Sequence, residues 1–80
     1  MRPEEFRNFL RRRPFQPFRL TLTDGRTYDV LHPEMAMVGR STIVVGIPGP
    51  DRSDPIYDHT EMVSLLHVMQ IEPLETMTTS

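Results

Sequence analysis

Four of this chain's nine cationic side chains, all of them arginines, fall within two helical turns at Arg7, Arg11, Arg12 and Arg13. Phe15 and Arg19 follow at once. Guanidinium groups grip carboxylate or phosphate in planar, two-pronged geometry, and a neighbouring aromatic ring can stack a base. The candidate partner-binding residues are therefore Arg7, Arg11, Arg12, Arg13, Phe15 and Arg19, facing either an acidic protein surface or RNA. The competing reading is a solvated helix end, where cations near the last carbonyls gain a few tenths of a kcal/mol each. A nucleic-acid binder is ordinarily strongly basic. A net charge of -2 and a sequence pI of about 5.8 favour the solvated end.

The other reactive side chains assemble no recognisable machinery. His32, His59 and His67 have carboxylates nearby in Glu34, Asp58 and Glu61, but adjacent residues of a strand point to opposite faces, so Asp58 and His59 are not expected to share an ion. Ser41 and Ser64 stand in no nucleophile elbow or triad context. Gly46-Ile47-Pro48-Gly49-Pro50 has prolines where a phosphate loop needs amide donors, and no lysine follows. The expectation is a chain with no catalytic residues, no metal site and no cofactor. Met35, Met37, Met62 and Met69 would make an adaptable binding surface, although core filling accounts for them better.

These residues must be positioned by very little protein. Eighty residues make one domain, near the size at which a single core is only marginally sufficient. A partner subunit would help. Without cysteine there is no disulfide framework and no thiolate chemistry. No apolar run approaches the ~20 residues of a membrane span and no leader pattern is evident, so the expected location is cytoplasmic. Charge is unevenly spread. Residues 1–26 carry seven arginines against three carboxylates, a balance of +4, whereas residues 27–80 carry two against eight, a balance of -6. Such polarity suits head-to-tail self-association or an acidic partner.

The elements follow from periodicity. Pro3, Glu4 and Glu5 read as a helix first turn, Phe6, Phe9 and Leu10 as its apolar stripe, and Pro14 as its end. Phe15-Gln16-Pro17 is an extended connector. From Phe18 to Val30, apolar and polar residues alternate on both sides of Asp24-Gly25, the pattern of a β-hairpin with a type I′ turn that buries Phe18, Leu20, Leu22, Tyr28 and Val30. A second strand pair, Met35 to Val38 and Thr42 to Ile47, flanks Gly39-Arg40-Ser41, with a glycine available for an unusual backbone angle. Thr42 to Ile47 should be a central strand covered on both faces, with Gly46 at a bulge or close approach. Residues 48–55 form a polar, proline-rich loop. Residues 61–70 match a strand and equally a helix, since 62, 65, 66 and 69 are apolar; the strand is preferred because the sheet otherwise lacks a closing strand, with a short turn near His67 and a last strand stopped by Pro73. Residues 1–73 form the domain and 74–80 a disordered C-terminal tail.

The order helix, arginine cluster, hairpin, further strands, then Met62-Val63 to His67 and Ile71 to Pro73 resembles the Sm-like fold, including the bacterial Hfq type. The phrase Arg12-Arg13-Pro14-Phe15-Gln16-Pro17-Phe18-Arg19-Leu20, with Leu22-Thr23-Asp24-Gly25-Arg26, His32-Pro33-Glu34 and Val38-Gly39-Arg40-Ser41, resembles small uncharacterised bacterial proteins that carry no assigned activity. The Sm-like resemblance implies an N-terminal helix capping a small five-stranded bent barrel, with edge strands paired between protomers, and admits RNA as a partner. The midstrand glycine of that family is absent here, where Asp29-Val30-Leu31 stands. The expected fold is α+β, a short N-terminal helix on a strongly bent antiparallel sheet of about five strands, an SH3-like or Sm-like partial barrel. The expected function is a non-catalytic interaction module that binds a protein partner or itself through a sheet edge; the alternative is an Sm-like RNA binder using Arg11 to Arg13.

Overall fold

A computed structural model describes residues 1–50 and 56–74. Helix α1 spans Pro3–Arg11 and six strands follow: β1 Phe18–Leu22, β2 Thr27–Val30, β3 Ala36–Val38, β4 Thr42–Pro48, β5 Tyr57–Ser64 and β6 Val68–Pro73. Single 3-10 turns, Pro33–Met35 and Leu65–His67, separate β2 from β3 and β5 from β6. The protein is thus α+β and antiparallel, as expected. One bent sheet of about five strands is not what forms. There are two three-stranded sheets, in the orders β2-β1-β6 and β3-β4-β5. The division comes at His32-Pro33-Glu34, where proline favours a tight turn and β2 cannot run on into β3.

The helix begins as its sequence dictates. Glu5 accepts the Arg2 backbone N–H at 3.1 Å, and two acids face the positive end of the helix. Phe6 is fully buried and meets Phe18 edge-on, with ring centroids 5.6 Å apart. Phe9 and Phe15 lie against the same ring at 5.5 and 6.0 Å, so Phe18 is the hub joining helix, connector and sheet. Around it one apolar cluster fills the interior: Leu20, Leu22, Tyr28 and Val30 from the first sheet, Ile43, Val45 and Val63 from the second, and Met35, Ala36 and Leu65 from the connections. All five expected hairpin core positions are buried.

The hairpin turn differs in kind from the expectation. Only Gly25 has positive φ, at +92°, whereas a type I′ turn needs two such residues. The Leu22 N–H donates to the Arg26 carbonyl at 2.9 Å and the Gly25 N–H to the Leu22 carbonyl at 3.0 Å. That leaves a three-residue loop, Thr23-Asp24-Gly25, with glycine in the left-handed position beside a bulge. Asp24 instead turns its carboxylate onto the Arg26 N–H, at 3.0 Å. The second hairpin uses no positive-φ residue among those described; Gly39 simply donates to the Thr42 carbonyl at 2.7 Å.

Residues 61–70 settle as strand, turn and strand. Alternation buries Val63 and Leu65 at 3% exposure each while Met62, Leu66 and Met69 stand 69%, 85% and 59% exposed. A helix would have buried 62, 65, 66 and 69 together. β4 is central to its sheet, but Val44 is only half-buried and flanked by exposed neighbours, so its outer face is not covered as expected. Gly46 does mark a close approach, since a Cβ there would lie 3.0 Å from the Tyr57 ring. Leu74, placed by the sequence in the tail, donates its N–H to the Pro17 carbonyl at 2.9 Å. The loop expectation at 51–55 and the tail at 75–80 fall outside the described residues. Among the described residues, no helix is long and apolar enough to cross a membrane.

Candidate functional site

At the arginine-rich end of α1, Arg12 and Arg13 are occupied with their own helix. Arg13 donates to the Leu10 and Arg12 carbonyls at 3.2 and 2.8 Å, closing acceptors that a helix end leaves open. Arg12 lies 4.7 Å above the Phe9 ring, a cation-π contact. Phe15 is turned onto Phe18 rather than outward. Arg19 stands apart on β1 and grips Asp29 of β2 with two prongs, at 2.8 and 3.3 Å; the hydrogen bond to Asp29 holds its guanidinium still more firmly charged. Arg7 and Arg11 alone of the six bond to nothing among the described residues. Arg7 borders a shallow hollow with Arg40 and Glu4. The six candidates therefore form no single surface.

A second polar assembly joins the two sheets. Asp24 holds Arg26 at 2.8 Å, Arg26 reaches the Tyr28 hydroxyl at 3.3 Å, and that hydroxyl donates to Glu61 of β5 at 2.5 Å. Glu61 in turn contacts His59 Nε2 at 3.0 Å, and His59 Nδ1 meets Asp58 at 2.6 Å. Asp58 and His59 thus touch each other directly at the ring's edge, a mutual contact that the sequence reading did not consider. An imidazole with both nitrogens against carboxylates is best satisfied as the cation; its pKa is raised above 6.5, first by Asp58 and then by Glu61. The Tyr28 hydroxyl, followed by His59, holds Glu61 below the ordinary carboxylate range. Burial, then Glu61, pushes the Tyr28 hydroxyl up. No cluster among the described residues has the ligands to hold a metal ion.

The largest departure from expectation is the methionines. Met35 is buried, but Met37, Met62 and Met69 are exposed. Met37 pairs with Val44 and Val44 with Met62, so the three form one apolar row across the outer face of the second sheet. The row ends at β5, which among the described residues is the longest strand and pairs with β4 alone. Because the Gly39 N–H donates to the Thr42 carbonyl on the β3 side, alternation leaves the Thr60, Met62 and Ser64 amides on the unpaired side of β5. Leu66 and Met69 continue the apolar exposure into the turn and β6, itself paired only with β1 among the described residues. The signal was present in Met62-Val63-Ser64-Leu65, where period two places Met62 opposite Val63. Comparison with family models, curated proteins and solved structures returns no match.

Proposed function

We propose that this chain is a non-catalytic interaction module that binds a second copy of itself by adding the unpaired edge of β5 to that of β6. The observation that carries this is the segment from β5 to β6, which has two one-sided strands and three of the largest exposed apolar side chains, Met62, Leu66 and Met69. A sheet this small keeps sticky edges unless another chain covers them, and main-chain pairing plus flanking apolar contact is a standard mode of strand addition. Pairing β5 of one copy with β6 of the next uses one open edge of each sheet in every copy. The strand order supports an Sm-like partial barrel: with β2 and β3 taken as one interrupted strand, β6-β1-β2 and β3-β4-β5 follow in sequence. RNA binding has less support, since Arg12, Arg13 and Arg19 already have partners.

Sedimentation velocity over a concentration series tests the reading. Wild type should assemble beyond the dimer, and Thr60→Pro should dissociate it, because proline there removes a free-edge amide and no bond to β4. A monomer at every concentration, or an assembly that Thr60→Pro leaves intact, overturns it. Salt-sensitive retention of single-stranded RNA by the monomer would favour the arginine cluster instead.

A further inference from the structure

We propose that Met62 and Met69 are modification sites, at which a peroxide oxidises the thioether to the sulfoxide and thereby releases the contact between β5 and β6. This rests on the reading of those edges as the surface of self-association. What carries it is how the sulfurs are sorted. Met35 is 5% exposed and its sulfur accepts the Leu31 N–H at 3.4 Å, so the methionine that serves the core is shielded. Met37, Met62 and Met69 stand 67%, 69% and 59% exposed. The chain has no cysteine, so no thiolate competes for a two-electron oxidant, and exposure decides which methionine reacts first.

The chemistry balances with hydrogen peroxide as the co-reactant. A sulfur lone pair attacks one peroxide oxygen, the S–O bond forms as the O–O bond breaks, and the departing hydroxide takes the proton of the transferred oxygen and leaves as water. Sulfur loses two electrons and the peroxide gains them. The product is a dipolar S=O group where an apolar thioether stood. In a single copy that group faces water and leaves the core untouched: Met62 lies on the outer face while Val63 turns inward. Met69 falls at the bulge between the pairs Thr21 with Gln70 and Leu22 with Val68, without a β1 partner of its own. Strand addition changes this. The Met62 amide faces the open side of β5, so an added strand bonds to Met62 itself and sets a residue directly opposite, with Cα atoms about 5.5 Å apart. A sulfoxide held there loses its water, and burying an unpaired dipole is unfavourable. Oxidation therefore disfavours the associated state alone, which is what shifts an equilibrium. Met37, at the far end of the row on β3, lies away from both edges and serves as the internal reference.

The test treats the full chain with hydrogen peroxide, both dilute and at concentrations where it assembles, and follows it by peptide mass spectrometry and sedimentation velocity. In dilute solution Met37, Met62 and Met69 should gain oxygen well before Met35. On assembly Met62 and Met69 should slow while Met37 keeps its rate. Oxidation should raise the Kd of association roughly 10-fold or more with the circular dichroism unchanged, and methionine sulfoxide reductases for the two epimers should restore it. Met62→Leu combined with Met69→Leu keeps the apolar volume and should give an assembly that peroxide no longer releases. A chain that is monomeric before peroxide overturns the reading of the edges, and the release with it. An assembly that persists with Met62 and Met69 oxidised, or a double leucine variant released like wild type, overturns the release alone. Oxidation of Met35 at the rate of Met62, with loss of the native circular dichroism, would make peroxide a denaturant of the core and overturn it too.

Discussion

The two sheets share one core yet finish their outer faces differently. On the first, Arg19, Thr21, Thr27, Asp29, Gln70 and Glu72 face water, and Arg19 and Asp29 form an ion pair across the strands. On the second, the row Met37, Val44 and Met62 runs from edge to edge, its two methionines about two-thirds exposed. Inner faces of both sheets must be apolar for the chain to fold at all. Outer faces carry no such demand, so an apolar row there reports something other than folding. The arginine cluster is the opposite case: conspicuous in sequence, and half absorbed by its own helix, through Arg12 and Arg13.

The sharpest way to break this contrast is to remove one side chain from each side of it. Phe18→Ala deletes the ring against which Phe6, Phe9 and Phe15 pack and should cost about 3 to 5 kcal/mol, a large part of the 5 to 15 kcal/mol typical of a domain. Met62→Ser should change the stability of the monomer by less than about 0.5 kcal/mol, while weakening self-association. Denaturant midpoints at dilute concentration, read beside sedimentation, check both. A Met62→Ser variant destabilised like a core mutant would show that the outer row is structural.

The two hairpins offer a finer contrast. Gly25 has φ of +92°, and nothing lies within 4 Å of where a Cβ would stand, so Gly25→Val should cost about 1 to 3 kcal/mol through backbone strain alone. Gly39 has no such angle, and a Cβ there would meet Thr42 Oγ1 at 3.4 Å, so Gly39→Ala should stay within about 0.5 kcal/mol. Equal losses in thermal melts would mean that contact, not conformation, governs both turns.

How much of this was legible follows from what each residue reports. Alternation in Phe18 to Val30 names the buried face because period two admits one register with all five apolar residues inside. Asp24-Gly25 located the turn but not its type, since the same dipeptide serves a two-residue and a three-residue loop, and backbone hydrogen bonds decide between them. Met37, Met62 and Met69 misled because methionine is apolar by composition and says nothing about which side of a strand it occupies. The polar chain from Asp24 to Asp58 was illegible: it joins residues of different strands, and only the packing of one sheet against the other brings Tyr28 to Glu61.

The arginine cluster can be tested against the outer row directly. Replacing Arg11, Arg12 and Arg13 together with glutamine should cost less than about 1 kcal/mol, since helix-end and exposed charge interactions are weak. Self-association should survive if the β5 edge carries it. Loss of assembly in the triple variant, with Met62→Ser unaffected, would reverse the assignment of the two surfaces.

The smallest expected effect concerns the link between the sheets. His59 has its pKa raised above 6.5 in the folded chain, so what it contributes is fully present below about pH 6.5 and fades as pH rises through the folded value. Glu61 is held below 4.5 by Tyr28 and His59, so its contribution is present above about pH 4.5 and fades as pH falls through the lowered value. The two overlap between those limits. His59→Gln should therefore lower the melting temperature most between about pH 4.5 and 6.5, with the gap from wild type closing on both sides. Tyr28→Phe should act on one side only: without the hydroxyl, Glu61 titrates nearer its ordinary range, so the acid loss becomes smaller and the gap from wild type closes as pH falls. Both side chains of the His59 and Glu61 pair are well exposed, so solvent screens the effect and it stays small. Melts from about pH 3 to about pH 9 in which the His59→Gln difference is flat would show that the chain of contacts between the sheets does not couple them.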